Sequence, residues 1–98
     1  MRFYKNQHQY YCGIDLHAKT MYVCIIDKDG KVLKHQNIGS NPEELLKAIA
    51  PYREDLVIGV ECMFCWYWIA DLCAKEKITF VLGHALYMKA IHVSKTKK

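Results

Sequence analysis

The sequence predicts a single α/β domain built on a mixed five-stranded sheet with helices packed on it. Three strand-like segments follow one another closely in the first 38 residues, two of them apolar and the third with Val32 among polar neighbours, as expected of a three-stranded antiparallel meander. Two further apolar segments each follow a stretch with helical features, which predicts parallel strands joined by right-handed crossovers. A chain of 98 residues has room for one small core.

The first three strands are predicted from residue type and from the turn that joins the last two. Segments 10–16 (YYCGIDL) and 20–27 (TMYVCIID) are rich in apolar and β-branched residues. The turn DKDG at 27–30 favours a hairpin into a third strand at 31–38, KVLKHQNI. An antiparallel meander is the simplest arrangement of these three strands.

The first helix is predicted from the signal at its beginning. Asn41 is the expected N-cap, Pro42 suits the first helical position, and Glu44 lies three residues past the cap. Its apolar stripe is formed by Leu45, Leu46 and Ile49. We expect Pro51 or the following Tyr52-Arg53 pair to end this helix.

The second half of the chain alternates strands with helices. Segment 55–61 (DLVIGVE) is apolar up to its final acid, which is typical of a strand buried on both faces. Segment 63–77 is long enough for a helix of about four turns. A fifth strand is predicted at 78–82, then a helix at 84–93 that leads into the basic tail SKTKK at 94–98.

Composition indicates a globular protein of a reducing compartment. The chain is 52% hydrophobic and 24% charged, which is ordinary for a folded domain and excludes a disordered one. Five cysteines form an odd set within apolar runs, as buried thiols do, rather than the framework of a disulfide-rich secreted protein. We therefore expect a cytoplasmic location.

Neither a signal peptide nor a membrane span is predicted. Residues 1–9 are polar and are expected to form a loose leader, with the folded domain at 10–98. The stretch from Leu56 to Ala70 is nearly free of charge but is too short to cross a bilayer and contains Glu61. No membrane is expected among the partners.

Two acids at strand ends are the candidate catalytic and metal-binding residues. Asp15 ends the first strand, Glu61 ends the fourth, and each has a glycine two residues earlier on the same strand face. If these strands are parallel neighbours, the two carboxylates meet at the carboxyl edge of the sheet, where α/β sheets place their sites. Hard oxygen ligands of this kind suit Mg²⁺ or Mn²⁺.

A simpler interpretation of the two acids stays open. Asp15 can merely end a strand, and Glu61 can begin the following helix, where the helix dipole favours an acid.

The pair Cys62 and Cys65 has the spacing of half a zinc site, with His84 and His92 downstream, but the two histidines have the wrong spacing for the second half of such a site. Buried thiols explain this pair better.

Three segments carry a family resemblance and cover nearly all of the chain beyond the leader: YCGIDLHAKTMYVCIIDKDGKVL, VIGVECMFCWYWIADL and ITFVLGHALYMKAIHVSKTKK. In these segments the chain resembles the N-terminal RuvC-like domain of IS110-family transposases. The resemblance implies a ribonuclease H-like fold. It also implies that Asp15 and Glu61 are the first two acids of an Asp-Glu-Asp-Asp set that binds divalent metal.

The resemblance implies a DNA transposase or recombinase that cleaves and rejoins DNA. Such proteins act as oligomers, with a structured RNA that guides target choice. Their third and fourth acids follow shortly after the segment that here is SKTKK, and their C-terminal domain supplies a serine nucleophile. We therefore expect a truncated catalytic domain that is inactive alone.

Lysines are the candidate nucleic-acid contacts. Lys19 lies four residues past Asp15, where a cation can meet a scissile phosphate. The others cluster near the C-terminus: Lys89, Lys95, Lys97 and Lys98. The net charge of +4 agrees with a polyanionic partner, although solvated surface lysines have the same appearance.

Two other classes of function fit the same sheet. A nucleotide-binding domain of the sugar kinase and actin type would need a glycine-rich phosphate turn after the first acid, and segment 15–20 (DLHAKT) contains no glycine. A non-catalytic nucleic-acid or protein interaction module needs no complete site at all. Metal binding at the two acids separates these hypotheses.

Overall fold

Five strands form one mixed sheet in the computed structural model, which describes residues 7–61 and 67–82. The strands are β1 (Tyr10–Leu16), β2 (Thr20–Asp27), β3 (Val32–Gly39), β4 (Leu56–Glu61) and β5 (Thr79–Leu82). The helices are α1 (Pro42–Ile49), a 3-10 helix (Ala50–Asp55) and α2 (Tyr67–Glu76). Within the described residues, no helix is long and apolar enough to cross a membrane.

The strand order is β3-β2-β1-β4-β5. Strands β1, β2 and β3 pair antiparallel, whereas β4 is parallel to both β1 and β5. This topology confirms the predicted α/β class with a meander and parallel strands, and it is consistent with a ribonuclease H-like arrangement. The predicted helix at 84–93 lies outside the described residues.

The hairpin between β2 and β3 is closed by the side chain of Asp27. Its Oδ1 atom accepts hydrogen bonds of 2.9 Å from the backbone N–H groups of Asp29 and Lys31. Gly30 has a φ of +87°, a left-handed conformation that glycine adopts without strain. Because Lys31 belongs to this turn, the third strand begins at Val32, one residue later than predicted.

Helix α1 begins as the sequence predicts. The Asn41 Oδ1 atom accepts a hydrogen bond of 2.9 Å from the Glu44 N–H, and Pro42 takes the first helical position. The helix ends at Ile49 and passes directly into the 3-10 helix, which contains Pro51. Since proline has no N–H to donate, the α-helical pattern stops before it.

The two α-helices pack on one face of the sheet, called here the helical face. This face is formed by the alternate β1 residues Cys12, Ile14 and Leu16 and by their neighbours on β2 and β4. Leu45 and Ile49 of α1 and Ile69 of α2 are fully buried against it. Apolar burial here is the main source of stability in a fold of this kind.

The opposite face, called here the site face, is formed by Tyr11, Gly13 and Asp15 of β1 and their neighbours. Among the described residues, its buried cluster is the smaller one and consists of Tyr11, Cys24, Ile26 and Val57. Strands β1 and β4 are therefore apolar on both faces, as predicted for segment 55–61.

Asp55 connects the start of β4 to the residues before β1. Its Oδ1 atom lies 3.0 Å from His8 Nδ1, and its Oδ2 atom accepts a hydrogen bond of 3.0 Å from the Gln9 N–H. The His8 N–H in turn donates to the Tyr11 hydroxyl at 3.0 Å. Two residues of the segment predicted as a loose leader are thus held at the amino edge of the sheet.

We predict a large loss of stability for Ile58→Ala. Ile58 is 0% exposed at the centre of the helical face, so the truncated side chain leaves a cavity. The free energy of unfolding is expected to fall by about 2–5 kcal/mol, measured by urea denaturation. Thr79→Ala, an exposed change on β5, is the control. A loss below about 1 kcal/mol for Ile58→Ala contradicts the position of β4 in the core.

We predict that Asp55→Asn removes part of the pH dependence of stability. The hydrogen bond with His8, followed by that from the Gln9 N–H, lowers the pKa of Asp55 in the folded chain. A carboxylate whose pKa is lowered by folding stabilises the folded state at pH values above its unfolded-state pKa of about 4. This contribution is lost as the pH falls through the pKa of the folded state. The wild type and the variant should therefore differ most near neutral pH and converge in acid.

Urea denaturation of both proteins between pH 2 and pH 7 measures this difference. Glu54→Gln, at an exposed neighbouring position, is the control. Parallel stability profiles for Asp55→Asn and the wild type would show that the pairing with His8 does not form in solution.

Candidate metal site at the carboxyl edge of the sheet

The pairing of β1 with β4 brings Asp15 and Glu61 into register. The two strands run parallel, and the Cα partner of Asp15 is Glu61. Neighbouring strands lie about 4.8 Å apart, and residues in register share a face of the sheet. The structure thus confirms the strand arrangement on which the predicted acid pair depends, and positions 15 and 61 lie side by side on the site face.

Two glycines lie directly behind the acids. Gly13 is the register partner of Gly59, so the row next to the acid pair has no side chain on either central strand. Both glycines are buried. Because glycine has no side chain, this row lets another group approach the strand backbone closely beside the acid positions.

Asp15 is reachable from solvent. Its side chain is 40% exposed, and its Oδ2 atom lies 3.7 Å from Nε2 of His17, whose side chain is 61% exposed. An imidazole at this distance can orient the carboxylate through a water or a bound ion. The side chain of Glu61 lies outside the described part of the structure, which gives its backbone position only.

The turn after Asp15 is fastened to the loop that follows β3. The His17 N–H donates to the Thr20 carbonyl oxygen at 2.9 Å and closes the turn. Ser40 makes two further bonds, from its N–H to the Lys19 carbonyl oxygen and from its Oγ to the His17 carbonyl oxygen, both at 3.1 Å. His17 and Lys19 are therefore presented from a turn whose backbone is held at several points.

The donor chemistry of this edge fits a hard divalent cation. Mg²⁺ in proteins is commonly held by one or two carboxylates, with waters and substrate phosphates completing its shell. Asp15 supplies one such carboxylate, and the residue beside it in register is a second acid. Among the side chains that the structure describes, no group of three or more His, Cys, Asp or Glu residues is arranged to hold a metal.

The register also places polar residues beside Asp15 that the sequence analysis did not single out. On β2 the partner of Asp15 is Tyr22, and on β3 the partner of Tyr22 is Asn37. Turn length did not supply this register. A three-residue turn at 17–19 would pair Asp15 with Met21, whereas the structure pairs Leu16 with Met21 and Asp15 with Tyr22. The register of β3 includes a bulge and could not be predicted from a turn either.

The described cysteines do not belong to the site. Cys12, Cys24 and Cys73 are buried and form no disulfide bond. Burial raises the pKa of the Cys73 thiol to about 11 and raises that of Cys12 as well, which disfavours the thiolate that a nucleophile or metal ligand needs. The predicted thiol pair at 62 and 65 lies outside the described residues.

Of the predicted nucleic-acid contacts, Lys19 is exposed in the turn between β1 and β2, two residues past His17. The remaining four lie outside the described residues: Lys89, Lys95, Lys97 and Lys98. Lys19 is therefore the one lysine of the predicted set that the described structure places near the acid pair.

No protein-family model matches the chain, and no curated protein matches it either. The relation to IS110-family transposases therefore stays a prediction that rests on the segments compared above. The fold and the register of the acids stand independently of that relation.

We predict that Asp15→Asn raises stability in the absence of metal. Like charges at neighbouring register positions repel, and the change removes one of two acids on adjacent strands. The free energy of unfolding in EDTA at pH 8 should rise by up to about 1 kcal/mol. Asp71→Asn, at an exposed position on α2, controls for the general effect of removing a negative charge. A fall in stability would mean that the Asp15 carboxylate stabilises the turn through His17 instead.

Proposed function

We propose that this chain belongs to the catalytic domain of a DNA transposase or recombinase. Such an enzyme cleaves and rejoins DNA with divalent metal held by carboxylates. The supporting observation is the register of β1 with β4, which sets Asp15 beside Glu61 at the carboxyl edge of the sheet. The resemblance to IS110-family transposases supports the same activity, with Mg²⁺ or Mn²⁺ as the cofactor.

The proposed roles follow from the chemistry of each residue. Asp15 and Glu61 would hold Mg²⁺ or Mn²⁺, which when bound activates the attacking oxygen and stabilises the leaving oxygen of a phosphodiester. His17, with Nε2 at 3.7 Å from Oδ2 of Asp15, orients that carboxylate. Lys19 contacts a phosphate near the acids, from a turn fixed by Ser40.

The proposal separates metal binding from catalysis. Two acids are half of the four-acid set that the resemblance implies, and Mg²⁺ can be bound through as few as one or two carboxylates. The 98-residue chain should therefore bind the ion without cleaving DNA. The proposed partners are DNA, a structured guide RNA and further copies of the protein.

We predict that Mn²⁺ binds the chain at the acid pair. Calorimetric titration of the 98-residue protein with Mn²⁺ measures the dissociation constant. This constant should rise at least about tenfold in Asp15→Asn and in Glu61→Gln, because each change removes an anionic oxygen ligand. Competition by Mg²⁺ should displace the bound Mn²⁺.

Asp71→Asn is the matched control, because it removes an equal charge from the exposed surface of α2. Equal affinities in all four proteins would contradict the metal site. Binding of ATP that depends on Asp15 would favour the nucleotide-binding alternative, and binding of neither ion nor ATP would favour the interaction module.

A further inference from the structure

The site face is organised in rows that run across the strands. The row nearest its middle is apolar: Val57, Tyr11 and Ile26 on β4, β1 and β2 are buried, and Val32 on β3 is partly buried. The next row consists of Gly59, Gly13, Cys24 and His35. The row at the rim contains Asp15, Tyr22 and Asn37 and is called here the polar row.

The described residues of the polar row are all at least partly exposed. The Asp15 side chain is 40% exposed, Tyr22 is partly buried, and Asn37 on edge strand β3 is exposed. His35, the neighbour of Asn37 on the same face, is exposed too. An approach to Asp15 across β3 and β2 therefore meets hydrogen-bonding and aromatic groups throughout.

The Tyr22 ring contacts His35 and the buried cluster of the site face. Its centroid lies 6.4 Å from that of the His35 ring, with the two planes tilted by 51°. Tyr22 also packs against the buried cluster of the site face. An aromatic ring that is held in place and partly exposed is the kind of surface on which nucleobases stack.

Charge near the polar row is suited to a polyanion. Lys19 is exposed in the turn that joins the β1 and β2 ends of the row, and the chain as a whole has a net charge of +4. Lys19 can thus contact a phosphate of a nucleic-acid strand that crosses the row, while the bases of that strand face Tyr22.

We propose that the polar row binds a single strand of DNA and leads it across β3 and β2 to the acid pair. This inference rests on the proposed function, because it assigns a substrate path to the same site. Tyr22 stacks on a nucleobase, Asn37 donates and accepts hydrogen bonds at the outer end, and Lys19 contacts a phosphate.

The dimensions of the row suit a short segment of strand. From β4 to β3 the row spans three inter-strand intervals of about 4.8 Å, or about 14 Å in total. At a rise of about 3.4 Å per stacked nucleotide, this length corresponds to about four nucleotides. In a duplex the faces of the bases are stacked on neighbouring base pairs and cannot stack on Tyr22, so single-stranded DNA is the preferred ligand.

Fluorescence anisotropy with a labelled twelve-nucleotide oligo-dT tests the proposal on the 98-residue chain, in EDTA so that metal plays no part. Tyr22→Leu keeps the apolar contact and removes the ring, and it should weaken binding about 5- to 100-fold, the range for loss of one stacked base. Asn37→Ala should weaken binding about 2- to 10-fold, as expected for loss of a hydrogen bond.

The controls are matched in residue type and position. Gln36→Ala changes the exposed neighbour of Asn37 on the other side of β3, and Tyr67→Leu removes an exposed tyrosine from α2. Both should bind like the wild type. If circular dichroism shows that Tyr22→Leu does not fold, the oligo-dT affinities of Asn37→Ala and Gln36→Ala still test the proposal.

Three results overturn the proposal: no binding of oligo-dT by the wild type, equal binding by Asn37→Ala and Gln36→Ala, or tighter binding of a duplex of the same length. None of these results changes the Mn²⁺ titration, which reports on the acids alone. Conversely, loss of the metal site with retained strand binding would leave the polar row as a nucleic-acid surface without the proposed catalytic role.

Discussion

The parallel pairing of β1 with β4 is the constraint on which the rest of the molecule depends. Both strands are apolar on both faces, with Ile14 and Ile58 against the helices and Tyr11 and Val57 on the site face. A slip of one residue would carry Gly13 and Asp15 to the helical face and remove Ile14 from it, so burial specifies the register strongly. The position of Asp15 beside Glu61 follows from that register and needs no interaction of its own.

The same pairing explains why an acid pair can be tolerated at this point. Asp15 lies near the carboxyl end of β1, and its side chain keeps 40% of its surface exposed. Hydration therefore reduces the mutual repulsion that two carboxylates would feel inside the core. At the other end of the same strands, Asp55 is paired with His8 and with the Gln9 N–H, so the amino edge is fixed while the carboxyl edge stays available to ligands.

Local chemistry made most elements of the fold predictable. The Asn41 cap, the Asp27 turn with Gly30 and the apolar run of β4 each depend on neighbours within a few residues, and each formed as expected. The third strand began one residue later than predicted, because the Lys31 N–H donates to the Asp27 side chain and Lys31 belongs to the turn. For the candidate site, the two acids could be found from their position after apolar strands, whereas Tyr22 and Asn37 could not be recognised as their neighbours until the strands were aligned.

The sequence by itself determined the α/β class, the order of strands and helices, and the presence of an acid at the end of two apolar strands, because these features depend on periodicity and local capping. Only the tertiary structure decided that β1 pairs with β4 in the register Asp15 to Glu61, and that Tyr22 and Asn37 extend this row to the edge of the sheet. The physical reason is that pairing between distant strands is chosen by the burial of both faces at once, a property of the assembled sheet rather than of any one segment.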